Sequence, residues 1–181
     1  MKPFTIISET IEYQDRDRLF VMKAKLITPV GKQVEWGYSK MKEAVVVLPI
    51  DNEGNVYLKK EWRLNRKDFV WELPSGWVEE KNPTKSDIRE AANRELQEEI
   101  GVKAHDLVHL TSFYPTNHMS SQFHIFLAKG LMASSLEGDE HEHLEVDKLT
   151  FDQAFKLVTQ QTPTAQVLIA FLLTKQNMML N

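Results

Sequence analysis

Apolar and polar residues alternate through the first forty positions. Phe4-Thr5-Ile6-Ile7 opens the pattern, and Leu19-Phe20-Val21-Met22-Lys23-Ala24-Lys25-Leu26-Ile27 continues it. Gly31-Lys32 then separates that run from Val34-Glu35-Trp36-Gly37-Tyr38. Alternation with a period of two, broken at a glycine turn, predicts a hairpin. Residues 1–40 therefore read as an N-terminal antiparallel β-meander. From Ala44 to Ile50 the alternation gives way to a continuous β-branched run, which predicts a buried strand. Asp51-Asn52-Glu53-Gly54-Asn55 is a turn cluster. Val56 to Lys60 reads as the return strand, and Phe69 to Leu73 as a short strand stopped by Pro74.

Beyond Thr84 the spacing becomes helical. Ile88, Ala92, Leu96 and Ile100 recur every four residues and mark one apolar stripe. Thr84 and Asp87 make a capping-box-like start, and Gly101 supplies the stop. Strands are expected at about 106–114 and 121–129, followed by an acidic, polar stretch from Ser134 to His143. Phe151, Ala154, Phe155 and Val158 define a second helix, and Thr162-Pro163 opens a third that runs to about Lys175. This order predicts an α+β fold, a mixed sheet between helices (an α/β/α sandwich), with the meander as a separate N-terminal region.

Composition narrows the chemistry. The 181 residues include 42% hydrophobic side chains, enough for a real core, and the net charge is −4. A nucleic-acid-binding domain would usually be basic, so no nucleic-acid partner is expected. Cysteine is absent, which excludes disulfides, zinc–thiolate sites and cysteine nucleophiles. The N-terminal stretch lacks the apolar core of a signal peptide. The longest apolar run, Val167 to Leu173, is too short to span a bilayer. A soluble, cytoplasmic protein without membrane contact is expected.

The first helix carries Arg94-Glu95-Leu96-Gln97-Glu98-Glu99-Ile100-Gly101-Val102. Glu98 and Glu99 lie three and four residues beyond Glu95, so the three carboxylates share one region of surface. Arg94 is four residues before Glu98 and can pair with it. Glu95 and Glu99 fall beside the apolar stripe and should be shielded from water. A glutamate-rich helix face is usually just a solvated one. Shielded, clustered carboxylates instead need pairing or a metal, and a hard divalent cation such as Mg²⁺ takes oxygen ligands and is often completed by substrate phosphates.

With Gly76 ahead of it, this run resembles the Nudix hydrolase family, whose box reads G-x5-E-x7-R-E-U-x-E-E-x-G-U, with U a bulky aliphatic. Gly76, Arg94, Glu95, Leu96, Glu98, Glu99, Gly101 and Val102 match it. The pattern separates its glycine and arginine by 14 positions; here Gly76 and Arg94 are 18 apart. The first glutamate of the box is therefore out of register, falling at Asn82 or Ser86 by the two ways of counting. Glu79, Glu80 or Asp87 could substitute.

Flanking sequence resembles the branch that cleaves ADP-ribose and nucleoside-diphosphate sugars. Lys60-Glu61-Trp62-Arg63 and Trp71-Glu72-Leu73-Pro74-Ser75-Gly76 resemble its "R-Q-Y-R … W-E-L-P-A-G" run. Phe113-Tyr114-Pro115-Thr116 with Ser120-Ser121 resembles its substrate loop, and Thr162-Pro163-Thr164-Ala165 its closing helix. The resemblance implies a dimerising meander over 1–40, hence a homodimer, and a Nudix hydrolase domain over 41–181.

It also implies a site. Ser75 through its carbonyl, Glu95, Glu98, Glu99 and Glu142 would hold Mg²⁺, with Mn²⁺ as an alternative. Glu140, in the acidic stretch, would be the general base, with Glu98 or Glu99 as fallback and Arg94 as a further catalytic side chain. Arg63, Gly76 and His118 would contact substrate, and Trp36 and Tyr38 could stack on the base, although packing explains those aromatics equally well. Trp62 and Trp71 are expected in the core. His141 and His143 are two apart, unlike a helical zinc pair. Two rival functions differ in class. A nucleoside-triphosphate house-cleaning enzyme is typically shorter and lacks the meander. A non-catalytic nucleotide sensor would not need the costly carboxylate cluster.

Overall fold

The structure, a computed structural model, describes residues 2–138 and 143–180. It divides into two compact units. The first contains the residues up to Glu43 together with Tyr114–Gln122, and the second contains Ala44–Phe113 and the residues from Phe123 onward.

The first unit is a meander of three antiparallel strands, β1 (Thr5–Asp15), β2 (Leu19–Ile27) and β3 (Gln33–Met41), in that spatial order. Thr28 closes the turn at Gly31, which adopts a positive φ of 83°. The segment Tyr114–Gln122 is fastened to β3. Ser39 donates its amide to the His118 carbonyl at 2.8 Å and accepts from the Ser120 amide at 3.0 Å. The Ser121 hydroxyl bonds both backbone groups of Met41. Sequence reading placed a strand start at about 121; these bonds instead hold 114–122 against the meander, and the next strand begins at Phe123.

The second unit holds two sheets. One runs β10 (Glu145–Thr150), β5 (Asn55–Arg63), β6 (Asp68–Glu72) and is antiparallel. The other runs β7 (Ser75–Trp77), β4 (Ala44–Pro49), β9 (Phe123–Ala133), β8 (Val102–Phe113), with β4 and β9 parallel and the other pairs antiparallel. Strand parity sorts the core. Val45 and Val47 of β4 and Phe126 and Ala128 of β9 pack against Ala91, Ala92 and Leu96 of α1 (Lys85–Ile100). Val46, Leu48, Ile125 and Leu127 face the opposite way, onto α2 (Phe151–Thr159) and α3 (Ala165–Leu180). Alternate residues of one strand thus serve opposite layers, which is the expected mixed sheet between helices.

Helix α1 begins and ends as its sequence dictates. The Thr84 side chain accepts the Asp87 amide, and the Asp87 carboxylate accepts the Thr84 amide at 2.7 Å. Gly101 takes the left-handed conformation, φ 70°, and returns its N–H to the Leu96 carbonyl. Strand β10 was not expected, because its exposed polar face hides the pattern; it is set by pairing with β5. Trp71 packs against the core, but Trp62 is 47% exposed rather than internal; it lies near the end of β5, beyond the residues that pair with β10. Among the described residues, no helix is long and apolar enough to cross a membrane.

Candidate active site

Backbone proximity explains the glycine at the head of the box. A Cβ placed on Gly76 would lie 2.2 Å from both Cδ and Oε1 of Glu95 and 2.3 Å from Oε2. Only a residue without a side chain lets β7 run this close over a carboxylate. The adjacent Ser75 amide donates to Glu99 Oε2 at 2.9 Å. Strand β7 is in turn held by β4, where Val45 and Val46 pair with Gly76 and Ser75. Two strands and one helix therefore fix Ser75, Gly76, Glu95 and Glu99 as a group.

Glu95 and Glu99 are only 7% and 5% exposed, as the helical wheel predicts. Arg94 reaches over this face. Its Nη2 lies 2.7 Å from Glu95 Oε1 and donates to the Trp77 carbonyl at 2.8 Å, while Nη1 meets Glu98 Oε2 at 2.9 Å. One guanidinium thus orients two glutamates and ties them to β7. Its planar fork suits that double duty better than an ammonium would.

Glu99 has a different partner. Lys59 of β5, 1% exposed, donates to Glu99 Oε1 and, at 3.0 Å, to Glu61 Oε2. Burial pushes the Glu99 carboxyl up to about 8, against the pull of the Lys59 ammonium, and neighbouring Glu95 adds to the rise. Burial also works against the Lys59 charge, but Glu99 and Glu61 outweigh it and raise the lysine's pKa. Sequence reading missed Lys59 and Glu61. The signal was present: Val56 and Leu58 point to the core, so by strand parity Tyr57, Lys59 and Glu61 share the other face. A lysine next to apolar neighbours reads as a strand end, and nothing local announces that its partner is forty positions away.

Arg63 continues the network. Its Nε donates to Glu72 Oε2 at 2.8 Å and its Nη2 lies 2.9 Å from Glu61 Oε2. Its guanidinium is thus already engaged by two carboxylates. Taken fully ionised, Glu61, Glu72, Glu95, Glu98 and Glu99 against Lys59, Arg63 and Arg94 leave two negative charges, which a single divalent cation would neutralise. The donors are carboxylate and backbone oxygens, the set a hard cation takes. Among the described residues, no three acidic or imidazole groups already converge as a cage. The residues suit a divalent cation in chemistry and charge, while their oxygens are presently turned to Arg94 and Lys59.

The other expected site residues are distributed differently. Glu140 and Glu142 lie outside the described residues. The chain leading to them is anchored on α1: Leu136 donates its amide to the Gln97 carbonyl at 3.1 Å, and a Cβ on Gly138 would lie 3.4 Å from the Glu98 carbonyl oxygen. Trp36, Tyr38 and His118 belong to the first unit. Trp36 packs against Phe4 with tilted rings whose centroids are 4.9 Å apart, Tyr38 donates to Glu9 at 2.7 Å, and the His118 backbone is fastened by Ser39.

The NUDIX domain family model matches residues 40–171. An ADP-ribose pyrophosphatase of Bacillus subtilis (strain 168) is 33% identical over 133 residues, spanning 72% of this chain and 70% of the relative. The ADP compounds hydrolase NudE of Escherichia coli (strain K12) is 32% identical over 148 residues, 79% of this chain and 75% of the relative. A crystal structure of an ADP compounds hydrolase superposes with a TM-score of 0.80 at 26% identity, covering 97% of this chain and 94% of that one.

Proposed function

This chain belongs to the NUDIX domain family, and from that premise we propose that it is a Nudix pyrophosphohydrolase cleaving the diphosphate bond of ADP-ribose or a related nucleoside-diphosphate sugar. The products are a nucleoside monophosphate and a sugar phosphate. The observation that carries the reading is the paired burial of Glu95 and Glu99 beneath a glycine strand that leaves no room for a side chain. Arg94 orients Glu95 and Glu98, and the Ser75 amide orients Glu99.

Glu95, Glu98, Glu99 and the Ser75 carbonyl would hold Mg²⁺ or Mn²⁺, with Glu142 completing the set. Bound there, the cation supplies charge neutralisation at the diphosphate and a more acidic water. Glu140 takes the proton of the attacking water, with Glu98 as the fallback base. Arg63 contributes positive charge toward the phosphates while held by Glu72 and Glu61, and Gly76, whose Cβ side is taken by the Glu95 carboxylate, offers substrate only its backbone. In the first unit, Trp36, Tyr38 and His118 supply aromatic and imidazole surface for a nucleotide base. The exposed apolar residues of the meander support a homodimer formed through it.

The test is a panel of ADP-ribose, ADP-glucose, GDP-mannose and nucleoside triphosphates incubated with Mg²⁺, with products separated by chromatography. Formation of AMP from ADP-ribose or another ADP compound is expected. Turnover of triphosphates alone would assign the house-cleaning activity instead, and nucleotide binding without turnover would assign a sensor.

A further inference from the structure

Lys59 is among the largest fully buried side chains of the described residues, and the reaction outlined above gives it no task. A lysine is almost never fully buried unless it is paired. Here both carboxylate partners are internal as well: the Glu99 and Glu61 side chains are 2% and 16% exposed. Its ammonium therefore meets Glu99 from within the core, while Arg94 meets Glu95 and Glu98, and it joins β5 to α1. Through Glu61 Oε2, which it shares with Arg63, it also connects α1 to the β5–β6 ladder.

Resting on the reading of Glu95, Glu98 and Glu99 as the divalent-cation ligands, we propose that Lys59 is a positioning residue and resident counter-cation of that site: it holds Glu99 in place before metal arrives, so that divalent binding is an exchange of one cation for another. The geometry gives two consequences. Without metal, Lys59 compensates Glu99 and Glu61 and lets the carboxylate group stay folded and internal. With metal, the ammonium stands against an arriving dication that shares its ligand, and like charges at such range in a shielded site repel strongly. Lys59 thus trades metal affinity for a stable metal-free state. Arg94 does not have this effect to the same degree, because it is a third exposed and its charge is partly screened by water.

The test compares the full-length chain with Lys59→Met, which preserves volume and removes charge, and Lys59→Arg, which preserves charge. Mn²⁺ alone is the probe, its binding read from the loss of the free-ion electron paramagnetic resonance signal. Thermal melts are recorded in EDTA and in saturating Mg²⁺. In Lys59→Met, Mn²⁺ should bind about tenfold more tightly. The EDTA melt should fall by about 5 °C or more, and Mg²⁺ should recover most of that loss. Lys59→Arg should stay within about twofold of the parent in Mn²⁺ affinity.

A purely structural lysine would lower both melts equally and leave Mn²⁺ affinity unchanged; that result, or weaker Mn²⁺ binding, overturns the proposal. Should Lys59→Met not fold, Lys59→Gln keeps a hydrogen-bond donor for Glu99 without the charge and must show the same tightening. Failure of the parent chain to bind Mn²⁺ at all would remove the metal reading itself, whereas binding that is indifferent to residue 59 removes only the exchange.

Discussion

The two units invert the usual placement of polarity. In the second, charge is buried: Lys59, Glu95 and Glu99 lie among the strands and α1. In the first, apolar surface is exposed: Ile6 is 59% exposed and Trp36 54%, with Ile7, Ile11, Tyr13 and Val21 also open to solvent. Each arrangement is costly for an isolated monomer, since buried charge loses hydration and apolar surface in water forfeits the hydrophobic gain. The two costs call for different partners. Internal carboxylates are relieved by cations, and an apolar sheet by another surface. The part of the chain proposed to perform chemistry and the part proposed to assemble it thus differ in the sign of the misplacement.

Glu99→Gln acts most directly on the buried charge. The amide keeps the volume and an oxygen for the Ser75 amide but removes the ligand charge. Mg²⁺-dependent turnover should fall by about 10³-fold or more, with near-ultraviolet circular dichroism retained. The melt should drop, because Lys59 is left with Glu61 as its only described carboxylate partner. An unchanged rate would remove Glu99 from the metal site. Gly76→Ala comes next. Its methyl would collide at 2.2 Å with the Glu95 carboxylate, the end of a side chain that Arg94 holds in place, so either β7 or Glu95 must move. A loss of about 10²-fold in turnover, with a stability cost of roughly 1–3 kcal/mol, is expected by steady-state assay and urea titration. Wild-type kinetics would show that the close approach has no bearing on the chemistry.

These two residues also mark how far the sequence was legible. Gly76, Arg94 and the three glutamates stand in one motif whose spacing carries its own geometry, so α1, its caps and the shielding of Glu95 and Glu99 followed from local pattern. The sandwich followed from strand parity and three periodic helices. What was not legible depended on pairing across the chain. Lys59 finds Glu99 forty positions away, Arg63 is shared by Glu61 and Glu72, and Tyr114–Gln122 is fastened to β3 through Ser39 and Met41. Strand β10 exists because β5 offers it an edge, and its own residues scarcely announce it. Local periodicity reports which face a residue takes, and does not report what waits on that face.

The meander prediction is smaller in energy but larger in scale. Ile11→Glu places a charge on the exposed apolar surface of β1 without removing a core contact, so monomer stability should change by less than about 0.5 kcal/mol. If the meander mates with a second copy, light scattering after size-exclusion chromatography should show the parent as a dimer and the variant shifted to monomer. A variant that remains dimeric would move the interface elsewhere and leave the exposed residues unexplained.

A third region serves as the control, because its charges are satisfied by the chain itself. Asp51, in the turn between β4 and β5, accepts the Glu53 and Asn55 amides through Oδ1, both at 2.9 Å, and meets Lys148 of β10 at 2.6 Å through Oδ2. Burial works to raise its pKa, but Lys148 and the Asn55 and Glu53 donors together outweigh it and hold the carboxyl down at about 2. A depressed folded-state pKa means stability that is present above the ordinary value of 3.8 and is lost as pH falls toward about 2. Lys148 is partly exposed, so water screens the pair, and the contribution at neutral pH is about 1 kcal/mol. Asp51→Asn keeps the turn geometry and removes the charge. It should therefore cost about 1 kcal/mol at pH 7, and the gap from the parent should close as pH drops from 3.8 to about 2. Turnover at pH 7 should be unchanged. A gap that persists at the acid end would assign the loss to hydrogen bonding rather than charge. A fall in turnover would mean that satisfied and unsatisfied charges in this fold are not separable by function.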